Sequence, residues 1–145
     1  MSFFGGDKDG KHFWLTPPDV MEKLNQEFHF DDDACPYPKP DDYDGLTADW
    51  GQSTYVNPPF TVITGSDGKK KGFTAWVRKA IEEHKKGKTV VIVFPIHRWI
   101  HYLLAVGVEL RSLGAVKWCS IEDGKPQKAV SNWTMAFILR GKAKQ

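Results

Sequence analysis

Apolar residues recur at helical spacing in two segments of the chain. The first segment predicts a helix that Thr16 caps, that has Pro17 in its first turn and that continues to about Glu27. The second predicts a helix that ends near Lys86, with Gly87 as its terminator. The two apolar faces consist of Val20, Met21, Leu24 and Phe28, and of Phe73, Trp76, Val77, Ala80 and Ile81. A third helix is predicted over residues 99–106.

Runs of β-branched and aromatic residues predict the strands. Thr89–Phe94 is continuously apolar, which is typical of a strand buried on both faces, and Pro95 ends it. Three further strands are predicted at Gln52–Val56, Glu109–Trp118 and Asn132–Leu139. The last two would form a C-terminal antiparallel hairpin with its turn around residues 123–124.

The segments between these elements are predicted to be extended or irregular. Residues 28–30 would turn extended and run into Asp31–Asp33, residues 35–44 would form a loop, and residues 64–72 a flexible basic loop. Residues 1–11 are expected to be poorly ordered. Alternating helices and strands with a fully buried strand indicate a single α/β domain, residues 1–145, with three layers.

Composition and charge narrow the class of protein. The chain has 145 residues and a formal charge of only +2, so affinity for nucleic acid must come from a local basic patch. Cys35 and Cys119 are isolated, which argues against a disulfide framework or a zinc site and favours a reducing cytoplasm. With neither a signal peptide nor an apolar run that spans a bilayer, the chain is expected to be soluble and intracellular.

The strongest chemical signal is Asn57-Pro58-Pro59-Phe60, directly behind a predicted strand. Prolines have no amide donor, so the turn is stiff and rich in hydrogen-bond acceptors. The Asn57 amide oxygen and the Pro58 carbonyl could accept hydrogen bonds from the exocyclic amine of a flipped adenine, while Phe60 stacks on the base. Chance alone would give Asn-Pro-Pro in roughly one or two per hundred chains of this length, as part of an ordinary strand-ending turn.

Other polar residues fall where they could share a site with this turn. Asp33, Asn57 and Pro95 each stand at a predicted strand end, and ligands of open α/β sheets bind at the carboxyl ends of strands. Lys69, Lys70 and Lys71 follow the turn closely, so they could contact phosphate or lie solvated in their loop. His97 and Arg98 follow Pro95 and have the same two interpretations.

Several residues invite a different chemistry. Asp31, Asp32 and Asp33 could bind a metal, but adjacent residues of a strand point to opposite faces, so no metal site is predicted. Cys35 lacks a neighbouring cation that would activate it as a nucleophile. Trp76 and Trp99 lie on apolar helical faces and are expected in the core rather than as stacking platforms.

Four segments, in order, carry a resemblance to a known family. They are Trp14-Leu15-Thr16-Pro17-Pro18-Asp19-Val20, Asp33-Ala34-Cys35-Pro36, Asp44-Gly45-Leu46 with Trp50, and Asn57-Pro58-Pro59-Phe60 before the strand Thr89–Phe94. Together they resemble the small phage and prophage DNA N-6-adenine methyltransferases of the Dam-like family, over residues 14–139.

The resemblance implies an adenine-specific DNA methyltransferase that uses S-adenosylmethionine, in the cytoplasm of a bacterial host. It implies a reduced Rossmann-like class I methyltransferase fold with a mostly parallel sheet. The catalytic residues would be Asn57, Pro58, Pro59 and Phe60. The cofactor would contact Trp14, Thr16, Pro17, Asp33, Ala34, Asp44 and Leu46.

The chain departs from the family pattern at the cofactor loop. The glycine-rich loop of most class I methyltransferases is absent, and Ala34-Cys35-Pro36 cannot approach a ligand as glycines do. Only ten residues separate Asp33 from Asp44, which leaves Asp41 or Asp42 as a substitute for the usual ribose-binding acid. Two alternatives therefore stay open: a degenerate methyltransferase fold that only binds nucleic acid or a partner, and an enzyme acting on RNA or a free nucleotide.

Overall fold

The structure, a computed structural model, describes residues 14–36, 40–58, 63–64, 68–95, 98–116, 119–120 and 131–141. In chain order its elements are β1 (Trp14–Leu15), α1 (Pro18–Phe28), β2 (Asp32–Asp33), β3 (Ser53–Val56), β4 (Ile63–Thr64), β5 (Lys70–Lys71), α2 (Phe73–Lys85), β6 (Thr89–Pro95), α3 (Ile100–Leu104), β7 (Glu109–Val116), β8 (Cys119–Ser120) and β9 (Ser131–Leu139). Residues 1–11 and the turn at residues 123–124, for which the sequence made predictions, lie outside the described residues.

Five of these strands form one open sheet in the order β2-β3-β6-β9-β7. β3 is parallel to both of its neighbours, β2 and β6. β9 is antiparallel to both of its neighbours, β6 and β7. The prediction of a mostly parallel sheet is therefore wrong, because β9 inserts between β6 and β7 and makes two of the four pairings antiparallel.

The predicted antiparallel pairing of the two C-terminal strands, β7 and β9, is confirmed, and burial explains the position of β9. Residues 136–139 of β9 are at most 1% exposed, which requires a partner strand on each side and a packed layer on each face. β7 instead carries Leu110, which is 40% exposed and suits the edge of the sheet. β9 thus takes the internal position and β7 the outer one.

Helices cover both faces of the sheet, as the three-layer prediction requires. Val91 and Val93 of β6 pack with Leu24 and Phe28 of α1 on one face. Val90 and Ile92 pack on the other face, among residues of α2 and α3. All four valine and isoleucine side chains are fully buried, so the prediction of a strand buried on both faces is confirmed. Trp76 and Trp99 are also in the core, at 4% and 5% exposure.

Both ends of α1 differ from the sequence prediction. Pro17, not Thr16, is the N-cap residue, and no side chain caps the helix. At the other end the helix includes Phe28, and His29 adopts a left-handed conformation with φ 48° while its N–H donates to the Asn25 carbonyl. The extended geometry predicted for residues 28–30 is therefore wrong, since the helix needs this turn to satisfy its last carbonyls.

The predicted basic loop at residues 64–72 is partly structured. Ile63 pairs with Lys71 and Thr64 with Lys70 in a short antiparallel ladder. The ladder ends directly before α2, whose N-cap residue is Gly72. Lys71 is consequently placed within two residues of a helix start rather than in a long free loop.

A buried carboxylate joins α2 to the beginnings of β3 and β6. Glu83 is fully buried and accepts hydrogen bonds from Lys79, Lys86 and Lys88 at 3.2, 2.8 and 2.6 Å. The Lys88 ammonium also donates to the Trp50 carbonyl at 2.6 Å. Within the described part of the chain, no helix has the length and apolar character needed to cross a membrane.

Candidate active site

The carboxyl ends of three parallel strands meet at one edge of the sheet. Asp33 is the last residue of β2 and pairs with Tyr55 of β3. Val56 ends β3 beside Ile92, and Asn57 follows it two residues short of the level at which β6 ends, at Pro95. Asp33 is level with Tyr55, two residues before Asn57, so Asp33, Asn57 and Pro95 form a staggered rim at the carboxyl edge of the three parallel strands.

Asn57 stands in the middle of this rim. Its side chain is partly buried and its Oδ1 atom is shielded from solvent. Pro58 is buried and has no N–H, so its backbone can accept a hydrogen bond through the carbonyl but cannot donate one. Pro59 and Phe60 lie outside the described residues. Asn57 and Pro58 thus bring a side-chain amide oxygen and a backbone carbonyl to the end of β3, and both groups can accept hydrogen bonds from a ligand amine.

Asp33 is a partly buried carboxyl at the end of β2. Its Oδ1 accepts a hydrogen bond from the Cys35 N–H at 2.9 Å. Burial raises the pKa of Asp33, this hydrogen bond lowers it, and the nearby Asp32 raises it further. Among the described residues no lysine, arginine or histidine forms an ion pair with Asp33. A cationic ligand at the rim would therefore be stabilised by an uncompensated negative charge.

Two of the sequence segments proposed to hold a cofactor are in direct contact. Ala34 is 1% exposed, and its carbonyl accepts a hydrogen bond from the Tyr43 hydroxyl at 3.3 Å. A Cβ atom built on Gly45 would lie 2.1 Å from the same carbonyl oxygen. The Asp44 carboxylate accepts from the Leu46 N–H at 2.9 Å and so sets the turn that brings Gly45 there. The absence of a side chain at Gly45 is what lets the two loops meet.

Replacing Gly45 by alanine should destabilise the protein by about 2–3 kcal/mol, since a backbone oxygen stands where the methyl group must go. Urea unfolding followed by tryptophan fluorescence would measure the change. Trp50, whose indole N–H donates to the Gly45 carbonyl at 2.7 Å, reports on the same contact. Asp49→Ala, a change at an exposed neighbour, is the control and should change the free energy of unfolding by less than about 0.5 kcal/mol. Equal stability of the two variants would contradict this packing.

The Thr16-Pro17 segment reaches the rim from the α1 face. The Thr16 and Tyr55 hydroxyls form a hydrogen bond, and Pro17 is buried. The backbone of Trp14 pairs with that of Ser120 in a separate two-stranded ladder, β1 with β8. The structure thus joins three predicted cofactor segments to β2 and β3: Thr16-Pro17 through Tyr55, Asp33-Ala34 directly, and Asp44-Leu46 through Ala34.

The predicted DNA-binding residues flank the rim along the chain. Lys69 and Lys70 are exposed and Lys71 is partly buried, in the segment between Asn57 and α2. Arg98 is exposed three residues after the end of β6. His97 lies outside the described residues.

The acidic residues considered for a metal have structural partners. The two carboxylate oxygens of Asp31 accept from the Gln52 and Ser53 N–H groups at 3.2 and 3.0 Å, and Asp32 accepts from the Gly51 N–H at 2.9 Å. These bonds hold the turn that begins β3. In the part of the chain that the structure describes, no group of three or more His, Cys, Asp or Glu side chains could hold a metal ion.

Sequence inspection missed two residues of this region, Tyr43 and Tyr55. Burial raises the pKa of Tyr43 to about 12, with smaller contributions from nearby acidic groups. Burial also raises the pKa of Tyr55, although the Thr16 hydrogen bond lowers it. Tyr55 could have been noticed because it stands two residues before Asn57 in a predicted strand. A strand of four residues is, however, too short for an alternation of polar and apolar positions to show which side chain forms a hydrogen bond.

These features define an α/β protein with an acceptor-rich rim at the carboxyl edge of its parallel strands. The sequence model of the DNA N-6-adenine-methyltransferase (Dam) family matches residues 6–144 of the chain. This chain therefore belongs to that family, whose description is that of a DNA adenine methyltransferase, and the resemblance carried by the four segments is confirmed. No curated protein and no solved structure matched the chain.

Proposed function

We propose that this protein methylates the exocyclic amino group of adenine in DNA, using S-adenosylmethionine, with the flipped base held by Asn57, Pro58 and Phe60. The observation that carries the proposal is the position of Asn57 and Pro58 at the carboxyl end of the middle strand of three parallel strands. Family membership supplies the reaction class. Asp33 on one side and Pro95 on the other complete the rim.

The chemistry requires the adenine amine to become a nucleophile. Its lone pair is delocalised into the ring, so it attacks poorly while the nitrogen is planar. Hydrogen bonds from the amine to the Asn57 Oδ1 and the Pro58 carbonyl would favour a tetrahedral nitrogen and direct its lone pair out of the ring plane. The amine loses its proton only after the new N–C bond has formed and made that proton acidic, so no strong base is needed beforehand.

The residues at the rim fit the polar groups of the proposed methyl donor. S-adenosylmethionine, when bound, supplies an electrophilic methyl group. Its ammonium would be matched by the Asp33 carboxylate, whose burial leaves a negative charge without a cationic partner among the described residues. Thr16 and Pro17, with Ala34 and the Asp44-Leu46 turn, would line the remainder of the site, together with Trp14.

Replacing Asp33 by asparagine should weaken donor binding without weakening the fold. Asparagine keeps the volume and an oxygen that accepts from the Cys35 N–H, but it removes the charge. We expect the Kd for S-adenosylmethionine, measured by calorimetry, to rise about 10-fold or more, the value of one charge-assisted contact. The melting temperature should stay level or rise, because burial disfavours the Asp33 charge.

Asp19→Asn is the matched control, since Asp19 is exposed on α1. Its Kd should equal that of the wild type. A wild-type Kd in Asp33→Asn would contradict the assignment of Asp33 to the donor site.

Contacts to DNA would come from the basic residues beside the rim. Lys69, Lys70, Lys71, His97 and Arg98 would meet phosphates, and Phe60 would stack on the flipped base. A patch of this size fits a protein whose overall formal charge is only +2. Because phosphate contacts release counterions, DNA affinity should fall steeply as salt concentration rises.

The test is methylation of plasmid DNA by the purified protein. Incubation with S-adenosylmethionine should make the DNA resistant to restriction enzymes that methyladenine blocks, and sequencing that detects methylated adenine should place the mark at one recurrent sequence. Methyl transfer to RNA or free nucleotides but not to DNA would show that DNA is not the substrate. Neither donor binding nor methylation, with DNA binding retained, would show that the fold serves only as a binding module.

A further inference from the structure

We propose that Tyr55 is a positioning residue that orients the Thr16 hydroxyl toward the methyl donor, and so couples the donor site to the strand that carries Asn57. The inference rests on the proposed function. It assigns a role to a side chain that does not itself touch either substrate.

The Thr16 side chain does not cap α1, although its position at the start of the helix favours capping. A threonine beside a helix start commonly caps the helix, at a gain of about 1 kcal/mol. Here α1 begins at Pro18 with Pro17 as the N-cap residue, and no side-chain hydrogen bond caps it. The Thr16 hydroxyl bonds instead to the Tyr55 hydroxyl, a residue 39 positions away.

The second observation concerns the direction of that hydrogen bond. Tyr55 is 2% exposed, and burial raises the pKa of its phenol, so the hydroxyl keeps its proton. Thr16 is the partner of this hydroxyl in the described part of the chain. A buried donor without an acceptor costs about 1–3 kcal/mol, so the Tyr55 O–H donates to the Thr16 oxygen. The hydrogen of Thr16, whose side chain is only partly buried, is then left for an acceptor outside the core.

The third observation is the rigidity of both partners. Tyr55 lies on β3 between two parallel strands, two residues before Asn57, and the centroids of its ring and the Phe30 ring are 5.3 Å apart. Thr16 directly precedes Pro17, which favours an extended backbone at Thr16. The hydrogen bond therefore fixes the donor segment at the N-terminus of α1 relative to the turn that would hold the base.

An oriented Thr16 O–H would donate a hydrogen bond to an anionic or carbonyl acceptor. The carboxylate of an amino acid moiety, as in S-adenosylmethionine, has this chemistry. Tyr55 would raise affinity for the donor by setting the hydroxyl before binding, and would contribute little to the methyl-transfer step once the donor is bound.

The experiment measures the Kd for S-adenosylmethionine by calorimetry, and KM and kcat for methylation, in wild type, Tyr55→Phe, Thr16→Val and the double variant. Each single variant should raise Kd and KM about 10-fold while kcat falls less than about 3-fold. The double variant should bind the donor no more weakly than Thr16→Val, because both substitutions remove the same hydrogen bond. Thr16→Ser keeps the hydroxyl and should restore wild-type binding.

A packing role for Tyr55 would predict a lower melting temperature, with Kd unchanged in the folded fraction and additive effects in the double variant; that result would overturn the inference. Unchanged Kd in Thr16→Val would overturn it even if Tyr55→Phe failed to fold. Wild-type protein that neither binds the donor nor methylates DNA would instead overturn the proposed function itself. If the wild-type protein binds the donor and both single variants bind it with the same Kd, this inference alone would be overturned.

Discussion

Asn57→Ala should lower kcat for DNA methylation at least about 100-fold, the loss typical for removal of one group that stabilises a transition state through a hydrogen bond. Asn57 lies directly after β3, and its Oδ1 atom is shielded from solvent, so alanine removes an acceptor that water cannot replace well. The donor Kd should change little, because Asp33 and Thr16 are untouched. Single-turnover methylation of an oligonucleotide duplex measures the effect on the chemical step.

Asn57→Asp is the matched variant. Aspartate has nearly the same size and keeps an acceptor oxygen at this position, so it should retain substantially more activity than alanine. Unfolding curves for both variants would establish that the fold is intact. Wild-type kcat in Asn57→Ala would show that another group receives the amine, and equal losses in both variants would show that the side-chain amide, rather than its oxygen, is required.

Glu83→Gln should produce the largest loss of stability, about 3–5 kcal/mol, which is the usual cost of removing one partner of a buried ionic cluster. Three lysines surround the fully buried carboxylate, and one of them, Lys88, also binds the Trp50 carbonyl. Glutamine would leave these ammonium groups without their countercharge. Chemical unfolding at neutral pH measures the change, and Glu82→Gln, at the exposed neighbouring position, should be nearly silent.

The same carboxylate predicts a pH dependence. Burial raises the pKa of Glu83, but hydrogen bonds from Lys86, Lys88 and Lys79 outweigh it and bring the pKa to about 2, against an ordinary value of 4.5. Since the folded pKa is below the unfolded one, Glu83 stabilises the fold fully above pH 4.5 and loses that contribution as pH falls toward 2. Wild type should therefore lose stability more steeply than Glu83→Gln over this interval. Parallel curves for the two proteins would contradict the cluster.

The elements of the fold were largely predictable from local patterns. Thr89–Phe94 showed a buried strand because five of its six residues are apolar and five are β-branched. Gly87 showed the end of α2 because a left-handed terminator favours glycine. The boundary of α1 was less accurate, since the segment from Thr16 to Pro18 contains two residues that could begin the helix. The Thr16 hydroxyl bonds to Tyr55, far along the chain, and does not cap the helix.

The rim was predictable and its internal contacts were not. Strand ends mark ligand sites in parallel sheets, so Asp33 and Asn57 could be placed together from sequence. Nothing local indicates that Gly45 meets the Ala34 carbonyl or that Asp31 and Asp32 close the turn before β3. Those contacts join residues more than ten positions apart, and several chain paths would satisfy the same pattern.

The sequence by itself determined the family, the helices, the main strands and the acceptor-rich turn at Asn57, because each is written in the chemistry of a few adjacent residues. Only the tertiary structure decided that β9 separates β6 from β7, and that Thr16 bonds to Tyr55 instead of capping α1. The physical reason is that both outcomes depend on groups far apart in the sequence: the strands that can take the central positions of the sheet, and the donor that reaches the Thr16 oxygen.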